Sequence, residues 1–280
     1  MLNRMPRSPR QRALIIGCGY FVKVAKQENE EHAKLIAKGK AAKGSHPKRS
    51  IDDQNTPPWR HVLGVWELCN RLITLYGYQR NEITVMTDDP REQCKVGRDL
   101  QQTEANIRRQ MDALVVDARN GDVLFFFFGG HGGQGNKSDS REVSGFSQFI
   151  VPVDRGIGGR AIYDDDIHDR LCKPLGAGVK LNFFFMCCHS GSMADLPWFY
   201  DENGEEDTSY YGVEKRSFMD KLFRRSSNED KDSMEWLQQV KEENTTEADI
   251  FAISASSDEQ SAYVFFFFVR SSFYFLNLVD

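Results

Sequence analysis

A chain of 280 residues with 40% hydrophobic residues can bury a substantial core in one large domain or two small ones, which excludes wholesale disorder. Its net charge of −5 and the lack of a basic stripe give no reason to expect a nucleic-acid partner. The six cysteines include no CxxC pair, which argues against a zinc site or a disulfide scaffold and predicts reduced thiols in an intracellular protein, cytoplasmic or nuclear.

The sequence shows neither the pattern of a signal peptide nor that of a membrane-spanning segment. The first residues, MLNRMPRSPRQR (1–12), are basic without an apolar core and predict a flexible tail and no signal peptide. The longest apolar block, FFFFVRSSFYFLNLV, is interrupted by Arg270 and two serines. No stretch therefore reaches the roughly 18–20 apolar residues that span a membrane, and we expect no membrane association.

Apolar runs of strand length alternate with stretches of helical spacing. The predicted strands are 12–20, 82–90, 123–128, 148–154, 181–185 and 249–257. The predicted helices are 61–78, with Leu63, Trp66, Leu72 and Leu75 as its apolar positions, 103–118, with Thr103 as N-cap, and a third that begins with the acids at 164–166. This alternation predicts an α/β fold with a mostly parallel sheet buried on both faces.

Two segments interrupt the alternation. Residues 24–58 are charged and then rich in Lys, Gly, Ser and Pro, which predicts a surface insertion. Residues 201–248 are polar and charged, which predicts a linker with a helix near 232–243. We therefore expect a flexible tail at 1–12 and a single domain over 13–280.

Two predicted strands end at reactive side chains. His131 follows the strand 123–128, and Cys188 follows the strand 181–185. Sites in parallel sheets lie beyond the carboxyl ends of strands, so a thiol nucleophile and a proton-transferring imidazole are expected to meet there. The loop of Gly129, Gly130, Gly132 and Gly133 would let the backbone approach a substrate, and the N–H groups of Gly132 and Cys188 could receive an oxyanion.

Simpler interpretations apply to the neighbouring residues. A cysteine at a strand end is usually a small buried hydrophobe, and Cys187 is interpreted in this way. His189 could be mistaken for the base, but adjacent residues on an extended segment point in opposite directions, which favours a structural role. The phenylalanine tracts 125–128, 183–185 and 265–268 are predicted to be core strands.

Several segments together resemble one family, the metacaspases, which are caspase-like cysteine peptidases. The segments are GDVLFFFFGGHGG, FIVPVD, YDDDIHDRLCKPL and MCCHSGSMADLPWFY, with RALIIGCGY, YGYQRNEITVMTDD, TEANIRRQMDALVVDA and AISASSDEQSA in the family's order. The resemblance covers about 12–20 and 61–263, and His131 precedes Cys188 by 57 residues, in agreement with the caspase order and scale.

The resemblance implies a caspase-hemoglobinase fold acting on protein or peptide substrates, as a monomer, with Cys188 as nucleophile and His131 as general base and acid. It also implies that 13–200 is a large-subunit-like region, 201–248 a linker open to self-cleavage, and 249–280 a small-subunit-like region. The candidate basic cleavage sites in the linker are Lys215–Arg216, Arg224–Arg225 and Lys241. Many family members are activated by calcium, and the matching carboxylates, hard oxygen ligands of the kind Ca²⁺ prefers, are Asp154, Asp164, Asp165 and Asp195.

The sequence departs from the family where the substrate pocket is expected. The family cleaves after Arg or Lys and has acids in the S1 pocket, whereas this chain has Leu68, Met186 and Tyr263 at three positions where the resemblance places acids. A guanidinium buried there without a partner would cost several kcal/mol. The leading hypothesis is a cysteine endopeptidase, expected by resemblance to cleave after basic residues but without those acids. The alternatives are a weak or inactive homologue that acts by binding, and another hydrolase of the same fold.

Overall fold

The computed structural model describes the greater part of the chain. The described residues are 7–20, 64–88, 100–136, 146–200, 238–239 and 241–256, with the backbone alone for most of 263–269 and 272–278. The predicted insertion 24–58, the predicted linker up to residue 237 and half of the predicted tail lie outside them, so the proposed domain boundaries stay predictions.

A five-stranded sheet forms the centre of the molecule. Its strands are β1 (Gln11–Gly17), β2 (Ile83–Thr87), β3 (Val123–Gly129), β7 (Lys180–Met186) and β8 (Asp249–Ser254). They are arranged in the order β2-β1-β3-β7-β8, and every pair of neighbours is parallel. The predicted mostly parallel α/β sheet is therefore confirmed. All five carboxyl ends lie along one edge.

Among the described residues, helices connect these strands and pack against them. They are α1 (Val65–Tyr76), α2 (Glu104–Val115) and α3 (Asp164–Leu171). The predicted N-cap of α2 is confirmed, since the side chain of Thr103 accepts a hydrogen bond from the amide of Asn106. Among the described residues, no helix combines the length and the apolar character needed to cross a membrane.

The helices lie on opposite faces of the sheet, and the strand alternation explains why. Leu14 of β1 and Phe126 of β3 belong to the apolar cluster that includes α2 and α3, whereas Ile15 and Phe127 belong to the cluster that includes α1. Both faces are buried because successive side chains along a strand point to opposite sides. The phenylalanine tract 125–128 is therefore core, as predicted.

The predicted apolar face of α1 is partly wrong. The helix buries Val65, Leu68, Cys69 and Leu72, while Leu75 is 63% exposed. The buried residues follow the spacing i, i+3, i+4, i+7, which would continue at both Leu75 and Tyr76. Tyr76 is itself exposed, and the partly buried Ile73 is the last residue of the helix that packs against this cluster.

Short antiparallel strands form a second sheet in the described part of the chain. They are β4 (Gly132–Asn136), β5 (Phe146–Ile150) and β6 (Ile162–Tyr163), paired in that order. Two further strands, β9 (Tyr263–Val269) and β10 (Ser272–Leu278), form a separate antiparallel pair. The prediction of a glycine loop around His131 is corrected, because Gly129 ends β3 and Gly132 and Gly133 begin β4.

Candidate active site

The loops after β3 and β7 lie side by side at the carboxyl edge of the sheet. Gly129 and Met186 are paired in the register of the two strands, and the amide of Gly130 donates to the carbonyl of Met186 at 3.3 Å. His131 and Cys188 each lie two residues beyond this pair. The sheet thus carries the two predicted catalytic residues to adjacent positions although they are far apart along the chain.

Strand β4 returns directly onto the thiol-bearing segment. A Cβ atom built on Gly132 would overlap the carbonyl oxygen of Cys188 and would lie 3.1 Å from the sulfur of Cys187. Only a glycine allows this approach, because every other residue would displace the Cys187–Cys188 backbone. The two predicted oxyanion donors, Gly132 and Cys188, are therefore neighbours in the structure.

The two thiols differ strongly in environment. Cys187 is 1% exposed, and burial raises the pKa of its thiol well above the ordinary value. Cys188 is partly exposed, and the His131 side chain is exposed. A buried protonated thiol is inert, which agrees with the structural interpretation of Cys187, whereas Cys188 is partly accessible to solvent.

The backbone reverses immediately after Cys188. Strand β7 ends at Met186, and His189 has φ of 53°, in the left-handed region. Because the backbone at His189 is not extended, the alternation of side chains along a strand does not apply to this residue. A non-glycine residue in this conformation costs on the order of 1 kcal/mol.

A serine network fixes the turn to the end of β8. Ser254 donates to the carbonyl of Ser190 at 2.6 Å, and Ser190 donates to the carbonyl of Ser256 at 3.4 Å. Ser256 in turn donates to the carbonyl of Cys187 at 3.2 Å. These bonds hold the thiol segment from the side opposite to Gly132. No spacing in the sequence indicated them.

Tyr20 is the residue next to His131 that the sequence reasoning missed. Its ring centroid lies 4.7 Å from that of the imidazole, with an angle of 31° between the planes. Its hydroxyl accepts a hydrogen bond from the His131 amide at 2.9 Å and donates to the Val151 carbonyl at 2.6 Å. Its place just beyond the carboxyl end of β1 was the available signal.

Two of the three expected S1 positions are apolar and buried. Met186 is 2% exposed and Leu68 is 9% exposed, and both belong to the cluster on the α1 side of the sheet. Glu67, the acid beside Leu68, forms an ion pair with Arg71 at 2.9 Å along the helix. The side chain of Tyr263, the third expected position, lies outside the described residues.

Three of the four predicted calcium ligands come together. Carboxylate oxygens of Asp164, Asp165 and Asp195 lie within 4.8 Å of one another. Asp164 is fully buried, and its oxygens accept the amides of Gln148 at 2.6 Å and of Asp165 at 3.0 Å. Three clustered carboxylates, one of them without solvent contact, are a donor set that fits a hard divalent cation.

The fourth predicted ligand has a different partner. Asp154 accepts the amide of Glu104 at 2.9 Å, at the start of α2, and is not one of the three clustered carboxylates.

His168 of α3 connects the helix to the segment that bears Asp195. Burial lowers the pKa of His168, so the ring is neutral at pH 7, and its Nδ1 donates to the carbonyl of Ala194 at 2.9 Å. This bond ties the segment that bears Asp195 to α3.

Comparisons with known proteins show which family part of this chain resembles. Residues 62–197 match the family described as metacaspase, peptidase C14 domain. Metacaspase-1A of Neurospora crassa is 43% identical over 133 residues, covering 48% of this chain and 28% of that protein. Metacaspase-1 of Kluyveromyces lactis is 42% identical over 135 residues, covering 48% of this chain and 30% of that protein. Metacaspase-1 of Pyricularia oryzae is 33% identical over 229 residues, covering 72% of this chain and 53% of that protein.

The parallel sheet with helices on both faces is a caspase-like α/β fold. The part of the chain that matches is a peptidase C14 domain of the metacaspase family, whose members are cysteine peptidases. The chain spans between about a third and about half of the length of these relatives. The solved structure of protein GSU0716 of Geobacter sulfurreducens is also similar to this chain, at 17% identity. The match covers 91% of this chain and 75% of GSU0716, and its TM-score of 0.44 is too low to support an argument about the fold.

Proposed function

We propose that this chain is a cysteine endopeptidase in which Cys188 attacks the scissile carbonyl and His131 transfers protons. The observation that carries the proposal is the contact of Gly132 with the Cys188 carbonyl, since it joins the two loops at the edge of the sheet. The partial exposure of Cys188 beside the buried Cys187 supports the same assignment.

The chemistry needs only these groups and the substrate. His131 accepts the proton of the Cys188 thiol, and the sulfur forms a bond to the carbonyl carbon of the peptide. The tetrahedral intermediate collapses as the C–N bond breaks, and His131 returns the proton to the leaving amine. Water then attacks the thioester carbonyl as His131 takes its proton. The C–S bond breaks to release the acid product, and His131 returns the proton to the sulfur of Cys188.

Backbone amides stabilise the charge that develops on the carbonyl oxygen. The N–H groups of Gly132 and Cys188 belong to two segments in van der Waals contact, which the serine network and β4 hold on either side. Their dipoles are thus fixed before the reaction. Loss of one such donor in other enzymes costs about 3 kcal/mol of transition-state stabilisation.

The S1 pocket of the proposed peptidase differs from the basic-specific pocket that the resemblance implies. Leu68 and Met186 lie in one apolar cluster, and Glu67 is engaged by Arg71. An arginine or lysine side chain that reached these positions would lose its hydration without gaining a carboxylate there, at a cost of several kcal/mol. We therefore propose that uncharged side chains are accepted at P1.

We also propose that calcium binds Asp164, Asp165 and Asp195. The bound cation would supply charge neutralisation for three carboxylates within 4.8 Å of one another. Asp195 follows Cys188 by seven residues, whereas the other two begin α3. A cation bound by all three would therefore connect the segment that follows Cys188 to the start of α3 and restrain the two relative to each other. Asp154, one oxygen of which accepts the Glu104 amide, is not needed for this proposal.

A second function is favoured by one observation. The loss of acids at Leu68 and Met186 removes charge from the pocket that binds substrate in the family, which is compatible with a weak or inactive homologue that acts by binding. The two functions differ in the reactivity of Cys188, because a binding protein has no need of an activated thiol.

Alkylation by iodoacetamide, with peptide mapping, separates these functions. We expect Cys188 to be labelled faster than the other thiols of the folded protein, with and without Ca²⁺, and this preference to be lost in His131→Ala. His189→Asn is the matched control, because asparagine tolerates the left-handed backbone at this position. Slow and equal labelling of all thiols would reject the endopeptidase. Hydrolysis of a peptide library by the same samples measures the activity itself.

A further inference from the structure

The described segment that follows β1 carries a buried tyrosine, Tyr20, that contacts His131. Tyr20 is 4% exposed, and its phenol bridges the amide of His131 and the carbonyl of Val151. Its ring lies beneath the exposed imidazole at a centroid distance of 4.7 Å. One side chain therefore contacts His131 through both the backbone and the ring.

The backbone of this loop is held in an unusual conformation. Tyr20 has φ of 54°, a left-handed value that L side chains with a large ring rarely adopt. The amide of Gly19 donates to Asp88 at 2.5 Å, and the amide of Cys18 donates to the carbonyl of Gly129 at 2.8 Å. These bonds hold the loop in this conformation. Glycine would fit the backbone better, so the tyrosine side chain itself is what the position requires.

The opposite loop leaves space for the phenol. A Cβ built on Gly130 would lie 2.9 Å from the Tyr20 hydroxyl and 3.1 Å from the Cβ of Cys18. Any residue other than glycine would push the hydroxyl away from the His131 amide. Gly130 and Tyr20 thus form a complementary pair, with the space on one loop matched by the side chain on the other.

We propose that Tyr20 is a positioning residue for His131, holding the backbone of the imidazole-bearing loop through its hydroxyl and the plane of the imidazole through its ring. The catalytic part of this inference rests on the proposed function, whereas the positioning part does not. The hydroxyl holds the backbone of the loop at His131, because it accepts the hydrogen bond of the His131 amide. The ring restricts the tilt of the imidazole and presents a π face to it, which favours the protonated form that appears when His131 accepts the thiol proton.

The test uses Tyr20→Phe, which keeps the ring and removes the hydroxyl, and Tyr20→Leu, which removes both. Tyr78→Phe is the matched control, because Tyr78 is 5% exposed and lies in the cluster on the α1 side. We expect kcat to fall about tenfold in Tyr20→Phe and about a hundredfold in Tyr20→Leu, with KM changed by less than about threefold. Tyr78→Phe is expected to leave kcat unchanged. A purely structural role would lower activity only in proportion to the folded fraction, which a thermal melt measures.

Two measurements remain informative if the wild-type protein shows no peptidase activity. Amide hydrogen exchange at His131 is expected to accelerate at least about tenfold in Tyr20→Phe and not in Tyr78→Phe, because the amide loses its acceptor. In the wild-type protein, NMR is expected to show contacts between the ring protons of Tyr20 and His131, and these do not depend on any variant folding. Unchanged exchange in Tyr20→Phe or absent ring contacts would overturn the proposal. Inactive wild-type protein with both signatures present would reject the endopeptidase alone.

Discussion

The α-carbon of Gly132 lies against the main-chain carbonyl oxygen of Cys188, closely enough that no β-carbon can be placed between them. This contact links the segment after His131 to the segment that carries the candidate nucleophile. The φ angle of Gly132 is not positive, so any residue could adopt its backbone conformation. Glycine is required at this position because there is no space for a side chain.

Gly132→Ala is therefore expected to displace the backbone at Cys188 and to lower kcat/KM by about a hundredfold, because a shift of about 1 Å at the reacting atoms has this effect. Gly135→Ala is the matched control in the same strand, since a Cβ there meets only ordinary contacts beginning at 3.6 Å. Steady-state hydrolysis and thermal melts measure both variants. Equal activity in the two variants would show that the close contact is irrelevant to catalysis.

The adjacent thiols are expected to behave oppositely. Cys187→Ala removes a buried side chain whose pKa is raised by burial, so activity should change by less than about threefold while stability falls by about 1 kcal/mol. Cys188→Ala should abolish hydrolysis and the fast alkylation. Peptide mapping after labelling of the native and the denatured protein measures this, and fast native labelling of Cys187 would contradict the assignment.

The sequence predicted the sheet well because its strands have a strong local signal. The runs 123–128 and 181–185 are continuous and apolar, and the structure places them at Val123–Gly129 and Lys180–Met186. The four apolar positions that define the amphipathic face of α2, including Ile107 and Met111, are all buried. Elements with periodic burial can be identified without tertiary information.

The site was only partly predictable because its contacts are nonlocal. Strand β4 has the sequence GGQGN, which carries no alternation, and it exists through pairing with β5. The bond from Tyr20 to the His131 amide joins residues 111 apart, and the bond from Ser254 to Ser190 joins residues 64 apart. The positions of reactive residues at strand ends could be predicted, but their supporting groups are set by how the loops meet.

A buried carboxylate far from the candidate site should govern acid stability. Asp122 is desolvated, which alone would raise its pKa, but Arg7 donates to it at 2.8 Å and the amides of Arg10 and Arg119 donate to it as well, so the net pKa lies well below the ordinary value. The stabilisation is present above the unfolded-state pKa of about 4 and is lost as the pH falls below it. Asp122→Asn should lower the free energy of unfolding by roughly 2 kcal/mol at pH 7, with a smaller difference at pH 3. Denaturant titrations at both pH values measure this, and an equal difference at both would contradict it.

Substitution at Met186 tests the proposed pocket. Met186→Asp is expected to raise cleavage after Arg and Lys at least about tenfold relative to the wild type, while placing a carboxylate in an apolar cluster lowers stability by about 2 kcal/mol. Met186→Leu conserves the volume and should change neither the P1 profile nor, by more than about 1.5 kcal/mol, the stability. A peptide library profiled at P1 makes the comparison. A wild-type profile already dominated by Arg and Lys would show that the acids at these positions are not needed.

The calcium proposal is tested by two aspartates of the same helix. Asp165→Asn removes a charge from the group of three carboxylates and should weaken Ca²⁺ binding at least about tenfold, because Ca²⁺ affinity depends on the number of charged oxygen ligands. Asp169→Asn removes an equal charge from α3, but Asp169 is exposed and pairs with Lys173, so binding should be unchanged. Calorimetric titration of chelator-treated protein measures the affinity, and the Ca²⁺-dependent rise in melting temperature provides a second readout. Equal weakening in both variants would indicate a general electrostatic effect, and the absence of binding to the wild-type protein would reject the site.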